Sequence, residues 1–157
     1  MKYKVTIQSK SKDDTIKLGK FISNFLKRGF IILLTGDLGA GKTTFTKGIA
    51  QGLEIKENVI SPTFNILKCY FNKKINLYHI DAYRLNDNKS DIGLDEFIEG
   101  DGVCVIEWPN YIDYLLKNCQ YLVVQISNIL DNTRKIEISS DFDKYKTIFE
   151  ELEKNYV

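Results

Sequence analysis

The stretch that decides the fold reads Phe30-Ile31-Ile32-Leu33-Leu34-Thr35-Gly36-Asp37-Leu38-Gly39-Ala40-Gly41-Lys42-Thr43. From Phe30 to Thr35 it is an apolar run between Gly29 and Gly36, too short for a helix and patterned for a strand buried on both faces in mid-sheet. From Gly36 onward it satisfies G-x-x-x-x-G-K-[ST] at every position. Phe45 and Ile49 then stand four apart, so 42–52 reads as a helix and 36–41 as a strand-to-helix turn. That context supplies the physics. A glycine turn wraps a phosphate while the first turn of the helix offers unpaired N–H groups and the positive end of its dipole. Gly36, Gly39 and Gly41 reach backbone angles closed to other residues and let the main chain approach phosphate oxygens. Lys42 places a point charge on the β- and γ-phosphates, and the Thr43 hydroxyl can ligate a magnesium ion bridging them.

Upstream, Tyr3, Val5 and Ile7 alternate with polar neighbours as a half-buried strand does. Ser11 with Asp14 resembles a capping box, and Leu18, Phe21, Ile22 and Phe25 recur at helical spacing, so a helix is expected to run until Gly29 stops it. Downstream, Pro62 biases Ser61 away from helical angles, and Ser61-Pro62-Thr63-Phe64 reads as an extended loop after the helix. The segments 64–71 and 75–80, rich in aromatic and β-branched residues around Asn72-Lys73, suggest a hairpin. A polar loop is expected over 85–95, a short buried strand over 103–106 and a short helix over 111–118. A second hairpin is expected from 121–127 and 135–138 around Asp131-Asn132. Tyr145, Ile148, Phe149, Leu152 and Tyr156 mark an amphipathic helix at about 142–156 whose stripe is expected to pack on the same domain. No repeat, linker or low-complexity segment interrupts the pattern. The fold class expected is α/β, a P-loop NTPase-like mixed sheet with a parallel core and antiparallel hairpins, flanked by helices in one domain spanning 1–157.

Composition narrows the function. With 157 residues, 43% of them hydrophobic, the chain can bury a sizeable core without disulfides or a structural metal. Lys and Arg number 22 against 21 Asp and Glu, a formal charge of +1, which argues against a chain that grips nucleic acid by itself. The longest apolar run, 30–34, falls far short of the about 20 residues of a membrane span, and the N-terminus has no signal-type stretch, so the cytoplasm is the expected location. Cys69, Cys104 and Cys119 form no C-x-x-C pair and read as reduced thiols that fill space.

A metal at the phosphates needs a carboxylate at the end of a buried strand. Two compete: Glu107 after Val103-Cys104-Val105-Ile106, and Asp81 after Leu77-Tyr78-His79-Ile80. Glu107 follows the more apolar strand and is assigned to magnesium, directly or through water. Asp81 is assigned to the attacking water or to the metal's outer shell. His79, the sole histidine, shares a strand face with Asp81; an orienting hydrogen bond and a core imidazole bonded to backbone are both open readings.

The blocks Gly36 to Phe45, Ser61-Pro62-Thr63-Phe64, His79-Ile80-Asp81-Ala82-Tyr83-Arg84-Leu85 and Ile106-Glu107-Trp108-Pro109, in this order and spacing, closely resemble the TsaE (YjeE) family over most of the chain. The resemblance implies a P-loop ATPase that works with the TsaD and TsaB proteins in making threonylcarbamoyladenosine at position 37 of tRNAs reading codons that begin with A. Its ATP hydrolysis is expected to reset or activate the TsaD–TsaB complex, with tRNA met only through that complex. By the same resemblance, ATP or ADP is held by Gly36, Asp37, Leu38, Gly39, Ala40, Gly41, Lys42, Thr43 and Thr44. Thr43 and Glu107 hold magnesium, Asp81 lies beside the triphosphate as a catalytic candidate, and Thr63 belongs to a switch-like loop. Arg134 and Ser11 correspond to positions near the nucleotide. Asn110 corresponds to a further nucleotide-contacting position after Trp108-Pro109, with a shorter neutral side chain where the family often carries Glu or Gln.

Two other readings use the same cradle. A small-metabolite kinase would need a mobile, arginine-bearing lid, whereas Arg28, Arg84 and Arg134 are scattered along the chain. A nucleotide-dependent interaction switch would hydrolyse weakly alone and respond to partners. No N-K-x-D sequence follows the P-loop to select guanine.

Overall fold

In a computed structural model, which describes residues 1–37, 39–62, 66–86 and 93–157 and only the backbone of Arg84 and Asn86, the alternating N-terminus forms β1 (Tyr3–Ser9). Ser11 caps α1 (Lys12–Ser23) by accepting the Asp14 N–H at 3.1 Å. The apolar run forms β2 (Ile31–Gly36), and the turn after it opens α2 (Lys42–Gly52). Next come β3 (Leu67–Tyr70), β4 (Leu77–Asp81), a 3-10 turn (Ala82–Asn86), α3 (Asp95–Ile98) and β5 (Val103–Glu107). A second 3-10 turn (Pro109–Ile112), α4 (Asp113–Leu116), β6 (Leu122–Leu130), β7 (Thr133–Ser140), a third 3-10 turn (Asp143–Tyr145) and α5 (Lys146–Tyr156) complete the order.

The described strands form one seven-stranded sheet in the order β1-β7-β6-β2-β5-β4-β3. β6, β2, β5 and β4 run parallel; β3 on one flank and β7 on the other run against them, and β1, paired antiparallel to β7, runs again in the core's direction. The expected parallel core with antiparallel hairpins is therefore the observed architecture, and β2 lies at its centre. Both faces of β2 are covered: Ile32 and Leu34 pack with Leu18 and Ile22 of α1, Phe45 and Ile49 of α2 and Leu152 of α5. Ile31 and Leu33 pack on the opposite face with Ile80, Ile98, Cys104, Ile106 and Ile112. This two-sided burial is why the run has no polar alternation. α1 and α2 approach through glycine: a Cβ on Gly19 would meet the Phe45 carbonyl, and one on Gly48 the Ile16 carbonyl.

Two local expectations are corrected. The first helix ends at Ser23, not Gly29, because Phe25 N–H bonds Ile22 O at 3.0 Å and Leu26 N–H bonds Ser23 O at 3.2 Å, tightening the chain and turning Leu26 into the core. Phe25 thus follows the helix, although it packs on the same core. The expected loop over 85–95 begins inside a 3-10 turn and ends in α3, where Leu94 and Ile98 bury their side chains one helical turn apart. Residues 87–92 lie outside the described ones.

Candidate nucleotide site

The glycine turn is shaped by positive backbone angles. Gly36, Gly39 and Gly41 have φ of 144°, 77° and 108°, and Gly41 leads into α2 in the left-handed conformation. A Cβ on Gly36 would strike the Ile126 carbonyl of the neighbouring parallel strand, so glycine is required there by space as well as by angle. Ala40 N–H bonds Asp37 O at 3.1 Å and closes the turn, while the Asp37 side chain is exposed. Leu38 lies outside the described residues. Lys42, buried to 6% exposure, donates from Nζ to Gly36 O at 2.8 Å and lies 4.3 Å from the centre of the Trp108 ring. Trp108 is itself in the left-handed region, φ 57°, and joins an aromatic group with Tyr83 and Tyr111.

A cleft of about 560 Å³ opens beside this turn, and Lys42, Thr43, Thr44, Asp81, Glu107 and Trp108 all contribute to its walls. β4 and β5 bring the two carboxylates there: Asp81 and Glu107 are the last residues of adjacent parallel strands and partners in register. Glu107 is buried and Asp81 half-buried. Burial raises the Asp81 carboxyl from its ordinary value; a bond from Tyr83 N–H at 3.1 Å opposes the shift, and the negative charge of Glu107 adds to it. His79, fully buried, bonds a carboxylate rather than the backbone, and the carboxylate is that of the neighbouring strand: its Nε2 is 2.6 Å from Glu107 Oε2.

A smaller cleft of about 60 Å³ lies across the glycine turn, lined by Ser11, Lys12, Gly39, Thr44, Asn132 and Arg134 among others. β7 carries Arg134 to this point, where its Nε–H donates to Ala40 O at 3.1 Å and its Nη1 to Asp131 O at 2.8 Å. Ser11 and Arg134, 123 residues apart by number, thus line one cleft at the turn. Asn110 is not brought in: it is exposed on the 3-10 turn after Trp108 and lines neither cleft. Thr63 lies outside the described residues, although Ser61 before it lines the larger cleft. Lys12 and Tyr83 were missed as wall residues; Lys12 follows the Ser11 cap and Tyr83 follows Asp81 by two, yet neither position has a chemical signature of its own.

The donor set suits magnesium. Thr43 and Glu107 offer hard oxygens at one cleft, and the paired carboxylates concentrate negative charge that burial leaves poorly solvated. Among the described residues no group of three His, Cys, Asp or Glu forms a protein cage, and an ion held by one or two side chains plus phosphates and water needs none. Among the described residues, too, no helix is long and apolar enough to cross a membrane.

Comparison with known proteins gives a consistent result. The family model for the threonylcarbamoyl adenosine biosynthesis protein TsaE matches residues 9–136. The tRNA threonylcarbamoyladenosine biosynthesis protein TsaE of Bacillus subtilis is 42% identical over 143 residues, covering 91% of this chain and 90% of its own. The protein of the same name from Treponema pallidum is 40% identical over 134 residues, 83% of this chain and 97% of its own. The crystal structure of YdiB from Bacillus subtilis superposes with a TM-score of 0.84 at 35% identity, covering 98% of this chain and 97% of the other.

Proposed function

The chain belongs to the TsaE family of threonylcarbamoyl adenosine biosynthesis proteins, and on that premise we propose that it is the magnesium-dependent ATPase of tRNA threonylcarbamoyladenosine synthesis, acting on a TsaD–TsaB complex. The observation that carries this reading is the convergence of Lys42, Thr43, Asp81 and Glu107 on one cleft beside the glycine turn, at the carboxyl ends of parallel strands. ATP lies with its β- and γ-phosphates in the turn and its remaining length toward Ser11 and Arg134. Lys42 exchanges the Gly36 carbonyl for phosphate oxygens. Thr43 and Glu107 hold magnesium, which when bound offsets the charge that builds up on the phosphates. Asp81 orients the water that attacks the γ-phosphorus and accepts its proton as the bond to the β–γ bridging oxygen breaks.

Hydrolysis by the chain alone is slow, and its partners accelerate it. The test is ATP turnover with and without purified TsaD and TsaB, for the native chain and for Lys42→Ala and Glu107→Ala. Turnover that rises with the partners and collapses in both variants supports the reading. Turnover untouched by either substitution overturns it.

A further inference from the structure

His79 is the described residue that the proposed chemistry leaves unused. On β4 it pairs in register with Val105 of β5, two residues before Asp81 meets Glu107, so it reaches Glu107 diagonally across the same sheet face. Its side chain is 0% exposed and that of Glu107 5%, and the 2.6 Å contact joins Nε2 to Oε2. A carboxylate only accepts, so Nε2–H is the donor of this bond. The other ring nitrogen, Nδ1, is the one buried side-chain polar atom among the described residues with no hydrogen-bond partner. An unsatisfied buried polar atom is a cost, and Val105 beside it is apolar, so mere filling of this volume would favour an aliphatic side chain.

We propose that His79 is a positioning residue for Glu107: its Nε2–H pins Oε2 and turns Oε1 toward the cleft, where it meets the divalent ion. The inference rests on the assignment of Glu107 to magnesium. Groups that hold a metal ligand in place tune affinity without touching the ion, and their loss lowers it about 10- to 100-fold.

The test is the magnesium dependence of ADP binding, read by Trp108 fluorescence and by calorimetry, with ADP binding in EDTA as the metal-free reference. His79→Gln keeps an N–H donor at nearly the reach of Nε2; His79→Asn keeps the same amide but stops short; His79→Leu removes the donor. The magnesium concentration for half-saturation is expected to rise about 10- to 100-fold in His79→Leu and His79→Asn and to stay within about threefold of native in His79→Gln, with metal-free binding unchanged throughout. Where His79→Leu does not fold, the Gln and Asn variants decide, because they differ in reach and not in polarity. Equal magnesium dependence in Gln and Asn overturns the inference. Glu107→Gln separates the two layers. If it weakens magnesium binding while the His79 variants do not, only the inference falls; if it leaves magnesium binding intact, the assignment of Glu107 falls and the inference with it.

Discussion

The Lys42 ammonium is held between the Gly36 carbonyl and the face of Trp108, and a triphosphate must draw it away from both. The balance favours the phosphates when Lys42 reaches two of them: one hydrogen bond of about 1.5–3 kcal/mol replaces the bond to Gly36 O, and a second of the same size outweighs a cation–π contact of about 0.5–2 kcal/mol. Removing the amine in Lys42→Ala is accordingly expected to weaken ATP binding about 10- to 150-fold. It should also abolish the change in Trp108 emission that marks transfer of the cation, which a fluorescence titration reads directly. Tyr145 makes a separate prediction. Its hydroxyl accepts from Ile31 N–H at 2.9 Å and lies 2.9 Å from Gln120 O, and burial pushes its pKa up from 10.0 to about 12. Because the folded state holds this proton more tightly, its contribution is complete below pH 10 and is lost as pH rises toward 12. The loss amounts to about 2–3 kcal/mol. Urea melts of the native chain should show a decline over this range to which buried Cys104 also contributes, and Tyr145→Phe should remove about 2–3 kcal/mol of it while lowering stability at pH 8 by about 1–3 kcal/mol for the stranded Ile31 N–H.

Among the elements, those whose pattern depends on their own residues are legible in the sequence. β2 was readable because both faces are covered and the run is uniformly apolar; α2 because its glycine entry and the Phe45–Ile49 spacing coincide; the β6–β7 hairpin because Asp131-Asn132 interrupts two alternating runs. What escaped was set by distant packing. The end of α1 depends on Leu26 finding the core, and the His79–Glu107 bond on a register between strands that local sequence does not encode. The close approach of α1 and α2 belongs to the same class, since no glycine in a helix announces its neighbour. It yields a prediction in which two effects compete. Gly48→Ala gains at most about 1 kcal/mol of helix propensity but drives a methyl into the Ile16 backbone, an overpacking cost of about 1–3 kcal/mol that rigid main chain cannot relieve. Net destabilisation of about 1–2 kcal/mol is expected in a denaturant titration.

At the scale of the whole molecule, the cleft and the core are built from the same strands but in different places. The apolar residues of β2, β4 and β5 carry stability, while their carboxyl ends and the turns beyond them carry the site. α5 packs against β1, with Leu152 fully buried and Phe149 stacked on Tyr3 at 5.4 Å, and neither residue lines a cleft. Stability and ligand response should therefore separate. Leu152→Ala is expected to cost about 2–5 kcal/mol through the cavity it leaves, lowering the melting temperature without touching the cleft. Magnesium–ATP at 100 times its dissociation constant adds about 2.7 kcal/mol to any chain that binds it, a rise of roughly 5–10 °C for a protein of this size. The Leu152→Ala chain should thus melt lower yet show the full ligand-induced rise, whereas Lys42→Ala should melt near the native temperature and show only about a tenth to a half of that rise at the same ligand concentration. Differential scanning fluorimetry with and without magnesium–ATP measures both quantities at once. A Leu152→Ala chain that loses the ligand response would mean that α5 and the cleft are one cooperative unit, and the division of labour between the strands' interiors and their ends would not hold.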